Sequence, residues 1–168
     1  RRLSTGTSPP SLFMVIVVQR SGVASHRMSK KKKKKMLRPK QVKYRKQRKG
    51  RIKGMESKSI NLTVGTYGLK ALESGRVTAR QIEATRRAIT RKMKRRGRVW
   101  IRVFPATPIT SKPVEVRMGK GKGNVDYWVC PVRQGKILYE IGGISHEIAM
   151  QALQAGAAKL PLLTRIVF

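Results

Sequence analysis

The residues best suited to chemistry in this chain form one run of eight, Arg-Met-Gly-Lys-Gly-Lys-Gly-Asn. It contains three cations and three glycines. Glycine allows backbone conformations that other residues avoid, and it lets the backbone come close to another molecule. The cations favour a polyanion as that molecule, because Lys and Arg bind phosphate groups well. The run predicts a loop that contacts nucleic acid, named the finger below: Arg117, Met118, Gly119, Lys120, Gly121, Lys122, Gly123 and Asn124.

The finger contains Gly-Lys-Gly-Lys-Gly, so a phosphate-binding loop is the first enzyme site to consider. A P-loop requires Ser or Thr directly after its Gly-Lys pair, and then a helix. Here Lys122 is followed by Gly123 and Asn124, and a strand is predicted next. Since no helix opens after these glycines, a dinucleotide fingerprint is excluded as well. The seven carboxylates are scattered and no Ser-His or Cys-His arrangement is visible, so we predict neither an enzyme nor a bound cofactor.

Cysteine and histidine are too sparse for a predicted metal site. Cys130 is the only cysteine, which excludes an intrachain disulfide and a cysteine zinc site. The histidines, His26 and His146, are far apart and have no ligand cluster around them. Cys130 stands between Val129 and Pro131 and is interpreted as a small apolar strand residue.

The charge of the whole chain also indicates a nucleic-acid partner. Its 168 residues include 40 Lys+Arg and 7 Asp+Glu, which gives a formal net charge of +33. So high a charge opposes compaction of a lone domain, and nucleic acid relieves it because neutralised phosphates release condensed counterions. An anionic membrane is the main competitor. It requires a basic amphipathic helix or a lipid anchor, neither of which is evident, so no membrane insertion is predicted.

Basic residues are concentrated near the N-terminus. Residues 1–58 hold 20 of the 40 basic residues and one acid, which predicts a basic tail before a single domain at 59–168, large enough to bury its own core. Residues 1–35 are interpreted as a leader, because Arg, Ser and Thr without any acid are typical of an organellar presequence. Their apolar run at 11–18 is too short to span a bilayer, and the lysine run at 30–35 is predicted to be extended.

Residues 36–58 are predicted to form an RNA-binding segment, named the arm below. It carries a cation at nearly every second residue, with Tyr44 among them. An aromatic ring among cations can stack on a base while its neighbours contact phosphates. Pro39, Gly50 and Gly54 disfavour a continuous helix, so we expect binding to order the arm. Its predicted contact residues are Arg38, Lys40, Lys43, Tyr44, Arg45, Lys46, Arg48, Lys49, Arg51 and Lys53.

The remaining pattern predicts an α+β fold with about six short strands and two helices. The sequence Thr78-Ala79-Arg80-Gln81 is a capping box, which predicts a helix from about Ala79 to Arg96 that ends at Gly97. Its apolar stripe comprises Ala79, Ile82, Ile89 and Met93. On another face only Glu83 offsets the basic residues, and that face is predicted to contact RNA through Arg80, Arg87, Arg91, Lys94 and Arg95.

Six strands are predicted around this helix. Residues 59–66 alternate cleanly, which predicts a half-buried strand, and a turn-rich connection follows. Further strands are predicted at 98–104, 114–117, 127–132, 136–141 and 162–168, with a proline-bounded loop at 105–113. Gln134-Gly135 is interpreted as the turn of a hairpin that pairs the strand at 136–141 with the one before it. Ser145 is predicted to cap a second helix, whose small-residue face includes Gly156 and which Pro161 ends.

Two segments together resemble the bacterial-type L-sixteen family of large-subunit ribosomal proteins. The stretch Gly-Arg-Val-Trp-Ile-Arg-Val-Phe-Pro at 97–105 is similar to one family signature, and the finger followed by Trp128 is similar to the other. The segments at 78–84 and 136–140 also match in place. The resemblance covers about 36–168, and residues 1–35 have no counterpart in it.

The resemblance implies an α+β sandwich bound to large-subunit rRNA beside the aminoacyl-tRNA site, among neighbouring ribosomal proteins. It implies that the arm lies in rRNA and that the finger points toward tRNA in the aminoacyl site. Gln41 and Ala106 depart from the family pattern and put single contacts in question. The leader suggests an organellar ribosome, with the mitochondrion preferred and a plastid or bacterial ribosome as alternatives. The competing function is that of a free basic RNA-binding protein or RNA chaperone.

Overall fold

A computed structural model describes residues 37–168 of the chain. The expectations for the leader, including its apolar and lysine runs and His26, lie outside the described residues, as does Met36 at the start of the arm. The described elements, in chain order, are β1 Tyr67–Ala71, β2 Gly75–Thr78, α1 Ala79–Lys92, β3 Arg98–Ile101, β4 Thr107–Ser111, β5 Asn124–Val132, β6 Ile137–Gly142, α2 His146–Ala157 and β7 Thr164–Val167. The predicted α+β class is confirmed, with seven strands among the described residues instead of six.

The strands form two antiparallel sheets, one with the order β3-β6-β1-β7 and one with the order β2-β5-β4. The predicted hairpin across Gln134-Gly135 is therefore wrong. Gly135 does turn the chain, with φ at 89°, but the turn leads from one sheet to the other. Every residue of β6 is buried, and such a strand pairs on both sides, here with β1 and β3. Because β6 lies inside the larger sheet, it does not pair with β5, which belongs to the smaller sheet.

The first helix follows its predicted pattern at the N-terminus. The backbone amide of Gln81 donates to Thr78 Oγ1 at 3.2 Å, and the backbone amide of Thr78 donates to Gln81 Oε1 at 2.8 Å. The predicted capping box is therefore confirmed. All residues of the predicted apolar stripe are buried. The helix ends at Lys92, before the predicted Arg96, because Lys94 and Arg95 adopt left-handed φ values of 51° and 64°.

The second helix packs its small residues against the first. A Cβ added at Gly156 would lie 2.7 Å from Ile89 Cγ1, so only glycine allows this approach. Ser145 occupies the N-cap position as predicted, but its side chain makes no capping hydrogen bond. The helix ends at Ala157, ahead of Pro161.

The predicted strand at 59–66 is wrong. These residues form bends, and Ile60 and Val64 remain 38% and 55% exposed. Their amides are held by a side chain from β6: Val64 and Gly65 each donate to Glu140 Oε2 at 2.9 Å. A buried carboxylate therefore takes the place of a neighbouring strand as hydrogen-bond acceptor.

Three observed strands fall in segments that we predicted to be loops. β1 and β2 lie in the expected turn-rich connection, and β4 lies in the proline-bounded loop. β4 contains Pro108 but is an edge strand, where a missing amide donor is tolerated. The predicted strand at 114–117 is instead part of an exposed loop, in which Val114 is fully exposed.

Candidate nucleic-acid interface

The finger lies at the tip of the hairpin formed by β4 and β5. The last residue pair of this hairpin is Ser111 with Asn124, so Lys112 to Gly123 form the connecting loop. Every residue of the finger is exposed except Gly123, which is half-buried, and Met118 is 95% exposed. The predicted loop is therefore present, projects from the domain and leaves its cations accessible.

Glycine is required in the finger for two different structural reasons. Gly119 and Gly121 have φ values of 87° and 88° and no heavy atom within 4 Å of an added Cβ, so backbone conformation alone requires them. Lys120 between them also has a positive φ, 48°. Gly123 is different, because an added Cβ would collide with the Ser111 carbonyl. It allows the loop to close against β4.

The arm and the finger are joined by reciprocal hydrogen bonds. Lys46 Nζ donates to the Lys122 carbonyl at 2.7 Å, and Lys122 Nζ donates to the Gln47 carbonyl. Sequence reasoning placed these lysines on two separate surfaces. The structure brings them together, so the arm and the finger present one continuous cationic surface.

Further contacts hold the arm against the domain mostly through its backbone. Arg76 Nη2 donates to the carbonyls of Gly50 at 2.6 Å and Lys49 at 3.1 Å. Downstream, the Glu56 amide donates to the Gln134 carbonyl at 2.9 Å. Because these bonds use backbone groups of the arm, its cationic side chains other than Lys46 remain available to another molecule. All ten predicted contact residues of the arm are exposed: Arg38, Lys40, Lys43, Tyr44, Arg45, Lys46, Arg48, Lys49, Arg51 and Lys53.

The predicted basic residues of α1 and of the turn after it lie beside two different depressions. Arg87, Arg91, Lys94 and Arg95 line one depression near the end of the helix. Arg80 lies at the other end of the helix, beside the arm. All five predicted residues are exposed, and Arg80, Arg87 and Arg91 share one face of the helix, because they are spaced by seven and four residues.

Glu83 and Arg86 belong to the same helix face and were not among the predicted contact residues. Arg86 Nη2 lies 2.7 Å from Glu83 Oε1, and Arg87 Nε lies 3.1 Å from the same oxygen. The hydrogen bond from Arg86 is the main reason that the pKa of Glu83 is lowered to about 2. Glu83 thus stays ionised and orders two arginines on this face.

Sequence reasoning missed three cations that lie beside the arm. Arg76, Arg133 and Lys136 line a groove of about 420 Å³ together with arm residues at 47–52. Lys136 pairs with Glu56, with 3.2 Å between Nζ and Oε2. No local signal distinguishes these residues, because each is an isolated cation in a strand or turn and only the folded chain brings them to one groove.

Residues 37–168 contain neither a metal-ligand cluster nor a membrane-spanning helix. Within that range no three His, Cys, Asp or Glu side chains come together as a metal site. Neither described helix is long and apolar enough to cross a membrane. Cys130 is buried in β5, as interpreted from the sequence, and burial raises the pKa of its thiol.

Comparison with known proteins adds an independent finding. A family model described as ribosomal protein L16p/L10e matches residues 39–167. A protein named large ribosomal subunit protein uL16 from Chelativorans sp. (strain BNC1) is 62% identical over 132 residues, which are 79% of this chain and 96% of that protein. Proteins of the same name from Paracoccus denitrificans (strain Pd 1222) and Allorhizobium ampelinum are 64% and 63% identical over the same shares.

Proposed function

Since the chain belongs to the ribosomal protein L16p/L10e family, we propose that it is a structural, non-enzymatic constituent of the large ribosomal subunit that binds large-subunit rRNA. The observation that carries this proposal is the match of residues 39–167 to the family. The relatives named uL16 support it, since the chain covers 96% of their length. Neighbouring ribosomal proteins are the other partners expected in such an assembly.

The exposed cations supply the physical basis for binding rRNA. The arm reaches the finger through Lys46 and Lys122, and its side chains remain accessible along that path. A surface of this kind neutralises many phosphates at once, and each neutralised phosphate releases counterions. The basic face of α1 adds a second surface through Arg91, Lys94 and Arg95.

We further propose that the ribosome is mitochondrial, with plastid and bacterial ribosomes as the alternatives. Residues 1–35 support an organellar location, because they precede the family match and contain Arg, Ser and Thr but no acid. The coarser statement, that the protein resembles bacterial ribosomal proteins, does not depend on this choice.

One fractionation experiment tests the ribosomal and the mitochondrial proposals. We expect the full chain to sediment with large subunits from the mitochondrial fraction and to remain there after a high-salt wash. At about 1 M salt the Debye length is only about 3 Å, so a loosely adsorbed basic protein is released, whereas one enclosed in rRNA is retained. The measurement is the amount of protein in each gradient fraction before and after the wash.

Recovery at the top of the gradient would support the alternative, a free RNA-binding protein or RNA chaperone. Retention in large subunits of the plastid or of bacterial cells would keep the ribosomal function and reject the mitochondrial location. A ribosomal protein already known to remain in washed large subunits serves as the control for subunit integrity.

The finger is proposed to face tRNA in the aminoacyl site, as the family resemblance implies. Its projection beyond the β4–β5 hairpin and the exposure of Arg117 and Met118 support this placement. Arginine can fork two hydrogen bonds to a phosphate or a base edge, which lysine cannot copy. Contacts made by Arg117 are therefore expected to influence tRNA more than they influence folding.

The finger is tested by Arg117→Ala in assembled ribosomes. We expect an almost unchanged melting temperature, because Arg117 is exposed, together with slower tRNA accommodation by about threefold or more, as expected for a lost charge-assisted hydrogen bond. Accommodation rates are measured at matched occupancy. Arg165→Ala is the matched control, since this exposed arginine lies on β7. Equal rates in wild type and Arg117→Ala would leave the finger without the proposed role.

A further inference from the structure

A cavity of about 860 Å³ lies where the arm, the start of α1 and β5 meet. This volume is within the range of about 300–1,000 Å³ found for small-molecule sites. Its lining includes Arg38 and Arg45 from the arm, Arg80 from α1, and Tyr127 and Trp128 from β5. Three separate segments of the chain thus bring cations and aromatic rings to one concave surface.

The arginines and aromatic rings suit an unstacked nucleotide. Arg38, Arg45 and Arg80 are exposed, and none makes an ion pair with another residue in the described range 37–168. Arginine binds phosphate oxygens in a bidentate manner. Tyr127 is 42% exposed and Trp128 is half-buried, and single-stranded RNA is commonly recognised by stacking of splayed-out bases on such rings. Phosphates and a base therefore each have fitting partners here.

Asp126 is the acid in this lining, and its position in β5 is irregular. Ile109 of β4 lies opposite Tyr127 and Thr110 lies opposite Val125, so Asp126 has no partner on β4. This is a β-bulge, and bulges redirect a side chain and occur often beside functional sites. Asp126 is exposed and makes no ion pair within the described part of the chain. Its carboxylate is therefore available to a ligand.

The carboxylate of Asp126 repels phosphate but accepts hydrogen bonds from a base. Guanine presents two adjacent N–H donors, N1–H and N2–H, which match the two oxygens of a carboxylate. Adenine and cytosine place a ring-nitrogen acceptor beside their amino group, and uracil places its single N–H between two carbonyls. The acid therefore selects guanine among the four bases, because RNA-binding proteins read unstacked bases on this edge.

We propose that this cavity binds one unstacked guanosine nucleotide of single-stranded RNA. The base lies against Tyr127, Asp126 accepts from its N1–H and N2–H, and the arginines contact the flanking phosphates. This inference rests on the proposed binding to rRNA. It specifies which nucleotide is bound, guanosine, and which residue selects it, Asp126.

The test measures binding of fluorescein-labelled RNA pentamers to the full chain by anisotropy at physiological salt. We expect UUGUU to bind about tenfold more tightly than UUUUU, UUAUU or UUCUU, since a good bidentate contact to a base discriminates by at least that factor. Asp126→Asn should reduce this preference to less than about twofold. Tyr127→Ala should weaken binding of UUGUU by roughly tenfold through lost stacking.

Two control variants distinguish the effect of a changed net charge from the loss of a specific contact in the cavity. Glu147→Gln removes one exposed acid on α2 and Arg165→Ala removes one exposed cation on β7, so both should leave the preference for guanosine intact. Each variant is first compared with wild type in a thermal melt. Equal affinity for all four pentamers would overturn the proposal, and so would an equal effect of Asp126→Asn and Glu147→Gln.

The failure of this inference can be distinguished from failure of the proposed function. If wild type is retained in washed large subunits but shows no preference for UUGUU, the nucleotide pocket is rejected and the ribosomal function stands. If wild type is absent from large subunits, the proposed function is rejected regardless of the pentamers.

Discussion

Deletion of residues 36–54 is expected to abolish entry into large ribosomal subunits while the domain still folds. Every buried hydrophobic residue of the core lies at Leu69 or later, so the deletion removes none of them. Leu37 is the part of the arm that packs against the core, and its loss should lower the melting temperature by only a few degrees. By contrast, the deletion removes all ten predicted rRNA contacts of the arm. The measurements are a thermal melt and occupancy in isolated large subunits.

A milder variant separates charge from length. Arg45→Gln with Arg48→Gln keeps the arm intact and should lower occupancy strongly, because two phosphate contacts and their released counterions are lost. Lys159→Gln with Arg165→Gln removes the same charge from exposed positions after α2 and on β7, outside the predicted RNA contacts, and should have little effect. If deletion of residues 36–54 left occupancy unchanged, the arm would be a solvated tail without a role in binding to the large subunit.

Glu140→Gln is expected to lower the free energy of unfolding by about 2 kcal/mol, as for leaving the hydrogen-bond partners of a buried acceptor unpaired. Glu140 is fully buried, accepts from the amides of Val64 and Gly65 at 2.9 Å, and lies 3.4 Å from Arg102 Nε. A side-chain amide cannot accept from all of these donors, so at least one is left unpaired. Chemical denaturation at pH 7 provides the measurement.

The effect of Glu140→Gln should also depend on pH. Burial raises the pKa of Glu140, but the amides of Gly65 and Val64 and the charge of Arg102 outweigh it, so the pKa lies below its ordinary value of 4.5. A carboxylate with a lowered pKa in the folded state stabilises fully above its unfolded pKa and loses that contribution as pH falls below it. The difference between wild type and Glu140→Gln should therefore narrow below about pH 4.5.

Glu147→Gln is the control for this prediction, because Glu147 is exposed and lies in the first turn of α2. It should cost less than about 1 kcal/mol, the size of a helix-dipole contribution. An equal loss of stability in Glu140→Gln and Glu147→Gln would show that the buried carboxylate does not hold residues 63–65.

Several features could be predicted from the sequence because they depend on residues only a few positions apart. The start of α1 follows from Thr78 and Gln81, which bond to each other's backbone amides. The buried stripe of the same helix follows from apolar spacing. The positive φ values of Gly119 and Gly121 follow from the glycines themselves. The RNA contacts assigned to the exposed cations remain predictions, since their accessibility permits contact without demonstrating it.

Other features were decided only by the tertiary structure. The apolar alternation at 59–66 does not reveal whether the backbone amides of this segment donate to a neighbouring strand or to a carboxylate. The actual acceptor, Glu140, lies more than 70 positions away in the sequence. The turn at Gly135 is local, but the choice of partner for β6 depends on complete burial of that strand. Sheet pairing is selected by packing between distant segments, and a local pattern does not encode it.

The candidate site also has parts that the sequence predicted and parts that only the folded structure revealed. The sequence alone identified the finger, the arm and the basic face of α1, because each is a dense local run of cations and glycines. Only folding joined Lys46 to Lys122 and brought Arg80 and Asp126 into the lining of one cavity. The reason is physical: a concave surface requires several segments to meet, and their meeting depends on the buried core beneath them rather than on the exposed residues themselves.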